Sequence, residues 1–65
     1  MEYTNSRIKE LIEEYIHSER DRRVLYLRLV DGLTFERLAE EVDLSVRYVK
    51  TIVYKGEEIL FRHLK

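Results

Sequence analysis

Thr34-Phe35-Glu36-Arg37-Leu38-Ala39-Glu40-Glu41-Val42-Asp43-Leu44-Ser45-Val46-Arg47-Tyr48-Val49-Lys50-Thr51-Ile52 is the stretch that decides the fold. It holds two helical patterns with a short break between them. Thr34 and Ser45 each stand just ahead of an apolar-periodic run, where a side-chain hydroxyl can accept an otherwise unpaired backbone N–H. Leu38, Val42, Leu44, Val49 and Ile52 fall on the inner sides of the two helices, and Ala39 is small where two steeply crossed backbones must approach. The connection in such a pair is three or four residues and often carries glycine. Here Asp43 takes that place, one of the few other residues that tolerate a left-handed backbone. The reading is a helix-turn-helix over 34–55.

Upstream, Asp31-Gly32 ends a preceding helix, with Gly32 placed for a left-handed C-cap. Ser18-Glu19-Arg20-Asp21 resembles a capping box and predicts that this helix covers 19–30. Its Val24, Leu25, Leu27 and Leu29 exceed what one buried face needs, which suits a partner surface. Ile8, Leu11, Ile12, Tyr15 and Ile16 form one face of a first helix over 4–17. Downstream, Val49, Ile52, Val53, Ile59, Leu60 and Leu64 extend the last helix to residue 64. At about 20 residues it would be ~30 Å long. The expected architecture is all-α: one small four-helix domain over 1–65, without linker or repeat.

Composition agrees. Proline is absent, glycine occurs twice, and 38% charged against 45% hydrophobic residues suits compact helices. With no cysteine there is neither disulfide nor thiolate metal site, which fits a reducing cytoplasm. No run approaches the ~18 apolar residues of a membrane span, and the first residues lack the pattern of a signal peptide. The net charge of −1 argues against a general polyanion binder, but its distribution is uneven. Residues 1–44 carry seven Lys/Arg against eleven Asp/Glu, and residues 45–65 carry five against two. Arg47, Lys50 and Lys55 fall in a stretch with no acid between Ser45 and Gly56.

Spacing assigns these residues to one exposed face of the last helix. Arg47, Lys50, Thr51 and Tyr54 recur at i, i+3, i+4 and i+7, pointing away from Val49, Ile52 and Val53. A helix fits the major groove of duplex DNA, with its N-terminal residues at base edges. The candidate base contacts are therefore Val46, Arg47, Lys50, Thr51 and Tyr54. Arg47 suits a bidentate contact to guanine and Val46 a thymine methyl. The candidate phosphate contacts are Tyr48 and Lys55, together with the helix starts at Thr34 and Ser45. Read without a DNA role, the same cations are a solvated face, and Tyr48 and Tyr54 pack on neighbouring helices. Arg20, Arg22, Arg23 and Arg28 could contact phosphates, but pairing with Glu19, Asp21 and Asp31 is the expectation.

Arg20-Asp21-Arg22-Arg23-Val24-Leu25, then Leu27-Arg28-Leu29-Val30-Asp31-Gly32-Leu33-Thr34, then the crossed-helix stretch, together resemble region 4 of bacterial sigma-70-type factors. The resemblance covers about three fifths of the chain. It implies a helix-turn-helix that reads the −35 promoter element and can dock on RNA polymerase. LuxR-type response regulators carry a similar Ser-x-x-x-Val-Lys. Their spacing usually runs one position shorter than the eight from Val24 to Gly32 here. Nothing corresponds to the sigma region that reads the −10 element, so the resemblance implies a free-standing regulator of the phage or mobile-element type.

Two functions follow as expectations. The first is a sequence-specific, duplex-DNA-binding transcription regulator, acting as a homodimer on paired half-sites. The second is a protein-interaction module on the same fold, docking on RNA polymerase or inhibiting a nucleic-acid-handling protein. The acidic Glu10, Glu13, Glu14, Glu19 and Asp21 and a pI near 6.1 favour it. No nucleophile–base pair, paired buried acids or phosphate-cradling glycine loop is present, so no enzyme and no cofactor is expected. His17 follows Glu13 by four residues, but two ligands fall short of a metal site.

Overall fold

The structure, a computed structural model, describes residues 5–63. Among them are four α-helices and no strand: α1 (Asn5–Tyr15), α2 (Glu19–Leu25), α3 (Phe35–Val42) and α4 (Val46–Arg62). The all-α expectation holds. Thr4 and Leu64, expected near the ends of the first and last helices, lie outside the described residues.

Two boundaries differ from those expected. The first helix stops at Tyr15 instead of residue 17. A helix end leaves carbonyls without partners, and Arg22 supplies the missing donors. Its Nε donates to the Ile16 carbonyl and its Nη2 to the Glu13 carbonyl at 2.8 Å. The second helix is α-helical only to Leu25 and continues as a π-helical turn over Tyr26–Val30. Asp31 N donates to the Tyr26 carbonyl at 3.1 Å, an i→i+5 bond. The widened turn lies where the helix serves two apolar clusters at once. Val24 and Leu27 pack with Leu38, Ala39, Val49, Ile52 and Val53. Leu25, Tyr26, Leu29 and Val30 pack with Ile8, Leu11, Ile12, Ile16 and Leu60. Of the apolar surplus read as a partner surface, Val24 and Leu25 are buried inside the chain and Leu27 and Leu29 are half-buried.

α4 is the second wall shared by both clusters: Val49, Ile52 and Val53 serve one, Leu60 and Ile59 the other. Between them α4 crosses α2 at Gly56, which is buried. A Cβ built there would lie 2.6 Å from both methyl carbons of Leu25. At the end of α4 the His63 ring stacks on Tyr15, centroids 3.8 Å apart and planes within 1°. This stack ties the end of α1 to the end of α4. Fully burying each large aliphatic side chain contributes about 1.5–3 kcal/mol, and no polar or charged side chain is buried among the described residues.

Candidate nucleic-acid interface

The three hydroxyl caps form as the sequence requires. Ser18 Oγ accepts from Asp21 N at 3.3 Å, Thr34 Oγ1 from Arg37 N at 3.2 Å and Ser45 Oγ from Tyr48 N at 3.1 Å. The Asp21 carboxylate accepts from Arg20 Nε at 3.1 Å. Asp43 adopts φ 57°, ψ 47°, and the N–H groups of Asp43 and Leu44 both donate to the Ala39 carbonyl. That left-handed residue ends α3 and turns the chain into Ser45. Ala39 is 7% exposed and packs with Val49, Ile52 and Val53, where the small residue was expected.

This crossing presents one side of α4 to solvent. Arg47, Tyr48, Lys50, Thr51, Tyr54 and Lys55 are all exposed, and the stretch that carries them has no acid. Val46 differs from the rest. It is half-buried against the cluster of Val24, Leu38 and Val49, so its side chain is partly committed to packing. The thymine-methyl contact expected of Val46 would fall to the part of its side chain that this packing leaves exposed. Thr51 is partly committed too: its Oγ1 donates to the Arg47 carbonyl at 3.2 Å, which leaves the oxygen as an acceptor. The Thr34 and Ser45 oxygens are occupied as acceptors by their own helices, and their hydroxyl protons remain available to an anion.

The remaining candidates divide between two flanks. On one, Tyr48, Thr51 and Lys55 border a cleft of about 360 Å³ between α4 and the α1–α2 junction, opposite His17, Arg20 and Asp21. The Arg20 guanidinium lies over the Tyr48 ring, 5.0 Å from its centroid. Its pKa is raised further, chiefly by the hydrogen bond to Asp21. On the other flank, Phe35 at the start of α3 gathers three side chains. Arg28 Cζ stands 4.2 Å and Lys50 Nζ 5.6 Å from its ring centroid. Tyr54 meets it edge-on at 6.0 Å. Arg47 is exposed on the same face of α4.

Sequence reasoning missed Phe35 as a member of this surface and favoured ion pairs over phosphate contacts for Arg20 and Arg28. Arg20 pairs with Asp21 as expected, but Arg22 and Arg28 take carbonyls instead of acids. Arg28 Nη1 donates to the Leu33 carbonyl at 2.7 Å, fastening the loop before α3. The signal available in the sequence was an arginine within reach of a helix end, where carbonyls lack partners. Glu13, considered with His17 as a metal pair, accepts a hydrogen bond from the Tyr26 hydroxyl at 3.0 Å. Among the described residues no group of three or more His, Cys, Asp or Glu side chains is placed to hold a metal ion. No helix among them is long and apolar enough to cross a membrane.

A capped α3, a left-handed turn and an α4 with an exposed basic side define a helix-turn-helix of the DNA-binding class. The family profile for Sigma-70, region 4 matches residues 18–58, more than half of the chain, and the chain belongs to that family. The match begins at the α2 N-cap and ends within α4, leaving α1 outside it. Comparison with curated proteins and with solved structures gave no match.

Proposed function

We propose that this chain is a sequence-specific duplex-DNA-binding regulator of transcription that inserts the N-terminal half of α4 into the major groove. The observation that carries the reading is the acid-free exposed face of α4. Arg47, Lys50 and Lys55 are presented together while the inner positions of the same helix are buried. A cation contributes to duplex affinity by displacing condensed counterions, and a bidentate Arg contributes preference for guanine. Arg47, Lys50 and Tyr54 act at base edges, with Thr51 as an acceptor and Val46 beside them. Lys55, Tyr48 and Arg20 act along one phosphate backbone, helped by the N–H groups at Thr34 and Ser45. Neither the family nor these groups calls for a catalytic role or a cofactor.

A single recognition helix reads few base pairs, so the regulator works as a homodimer on paired half-sites. Such a regulator fits the phage or mobile-element type and works in the cytoplasm. The test is a gel shift with random duplex at low salt, then selection of bound sequences and a salt titration. A steep salt dependence with an enriched sequence supports the proposal; no duplex binding at low ionic strength overturns it. One observation favours a second reading, docking on RNA polymerase or another protein: Phe61, on the last turns of α4, is 51% exposed. Sedimentation with and without duplex separates a dimer on DNA from a single docked copy.

A further inference from the structure

Phe35 occupies an unusual meeting point. It begins α3, yet its ring is reached by Arg28 from the π-helical turn and by Lys50 and Tyr54 from α4. Its packing need is modest, because it is half-buried at the border of the Val24, Leu38 and Val49 cluster. An aliphatic residue of similar volume would satisfy that role. What an aliphatic residue would not offer is a ring face, whose negative quadrupole attracts cations. Arg28 is fixed independently by its bond to the Leu33 carbonyl. Among the described residues Lys50 makes no hydrogen bond or ion pair, and the ring is its electrostatic partner there.

We propose that Phe35 is a positioning residue for DNA recognition, its ring holding the Lys50 ammonium in place on the exposed face before the duplex arrives. The inference rests on the DNA-binding reading above and adds a residue to it. Lys50 carries a flexible four-carbon stem, and ordering such a side chain on binding opposes affinity. A ring that already restricts the head group reduces that cost. Tyr54, set edge-on to Phe35, keeps the ring from turning its face away.

The experiment compares Phe35→Leu, Phe35→Tyr, Lys50→Met and the Phe35→Leu/Lys50→Met pair. Each protein is titrated against the selected duplex by fluorescence anisotropy. The free proteins are also followed by NMR at the Lys50 ε-methylene, which a ring face shifts upfield. Phe35→Leu is expected to stay folded, lose the upfield shift and bind about 2- to 5-fold more weakly, the range of one exposed cation–π contact. Phe35→Tyr keeps both the shift and the affinity. In the Lys50→Met background Phe35→Leu has no further effect. Should Phe35→Leu fail to fold, Phe35→Met serves for the same comparison. Unchanged binding by folded Phe35→Leu, or an equal loss in the Lys50→Met background, overturns the inference while leaving the DNA reading in place. Wild type that binds no duplex overturns the DNA reading, and the inference with it.

Discussion

Leu25 of α2 lies directly on Gly56 of α4, so close that a single added methyl at position 56 would stand 2.6 Å from both of its methyl carbons. Leu25 is fully buried, which leaves it little room to swing aside. Two effects compete when Gly56 becomes Ala. Helix propensity favours alanine by about 1 kcal/mol, and overpacking of a filled core costs about 1–3 kcal/mol. The clash should win, for a net loss of about 1 kcal/mol in a urea melt. In a Leu25→Ala background the same change should become stabilising, because the obstacle is gone. A double-mutant cycle without this change of sign would mean that the contact does not limit the approach of α2 and α4.

Ala39 is the corresponding small residue at the α3–α4 crossing, and its carbonyl also receives the N–H groups of Asp43 and Leu44. Ala39→Leu should cost about 1–3 kcal/mol by overpacking. Chemical denaturation checks this, and an unchanged midpoint would count against a close crossing there.

The Tyr26 hydroxyl donates to Glu13, and its pKa is raised above the ordinary 10.0, first by desolvation and then by that hydrogen bond. Because the folded value is the higher one, the contribution is complete below the unfolded value near 10.0 and is lost as pH rises through the folded value. Stability should therefore fall with alkaline pH more steeply in the wild type than in Tyr26→Phe. Thermal melts between neutral pH and the alkaline range test the difference, and parallel curves would contradict it.

Base and phosphate contacts should separate in experiment. Arg47→Ala should cost about 1–3 kcal/mol on the preferred duplex and blur preference at one base pair. Lys55→Ala should weaken selected and scrambled duplexes alike and lower the salt slope by about one unit. Glu14→Gln, on the exposed side of α1, should do neither. Binding of the three variants to both duplexes across a salt series is the measurement; the same profile for Arg47→Ala and Lys55→Ala would remove the distinction.

What could be read in advance was local. Ser18, Thr34 and Ser45 cap because a hydroxyl precedes each run and an N–H lies three residues on. Asp43 turns left-handed because its short polar side chain tolerates that region. The inner positions from Leu38 to Ile52 follow helical periodicity. What escaped depends on contacts that periodicity does not encode. Arg22 and Arg28 find carbonyls six and five residues away, respectively, at points set by where neighbouring segments end. Val46 sinks partly into the core because the crossing tilts the first turn of α4 against it. Phe35 joins three elements far apart in sequence. Of the base-contact candidates, exposure supports Arg47, Lys50 and Tyr54 most directly, and it was the charge pattern that marked the face.

The π-helical turn over Tyr26–Val30 changes how many residues one turn of the second helix holds. A loop closed from residue i to i+5 encloses one residue more than the i to i+4 loop of an α-helix. The bulge over Tyr26–Val30 lies inside the interval from Val24 to Gly32. The added residue widens one turn between the stretch that holds Val24 and Leu25 and the loop that follows Asp31. A widened turn thus acts here as a rotational setting, deciding which side chains of the second helix meet each neighbour.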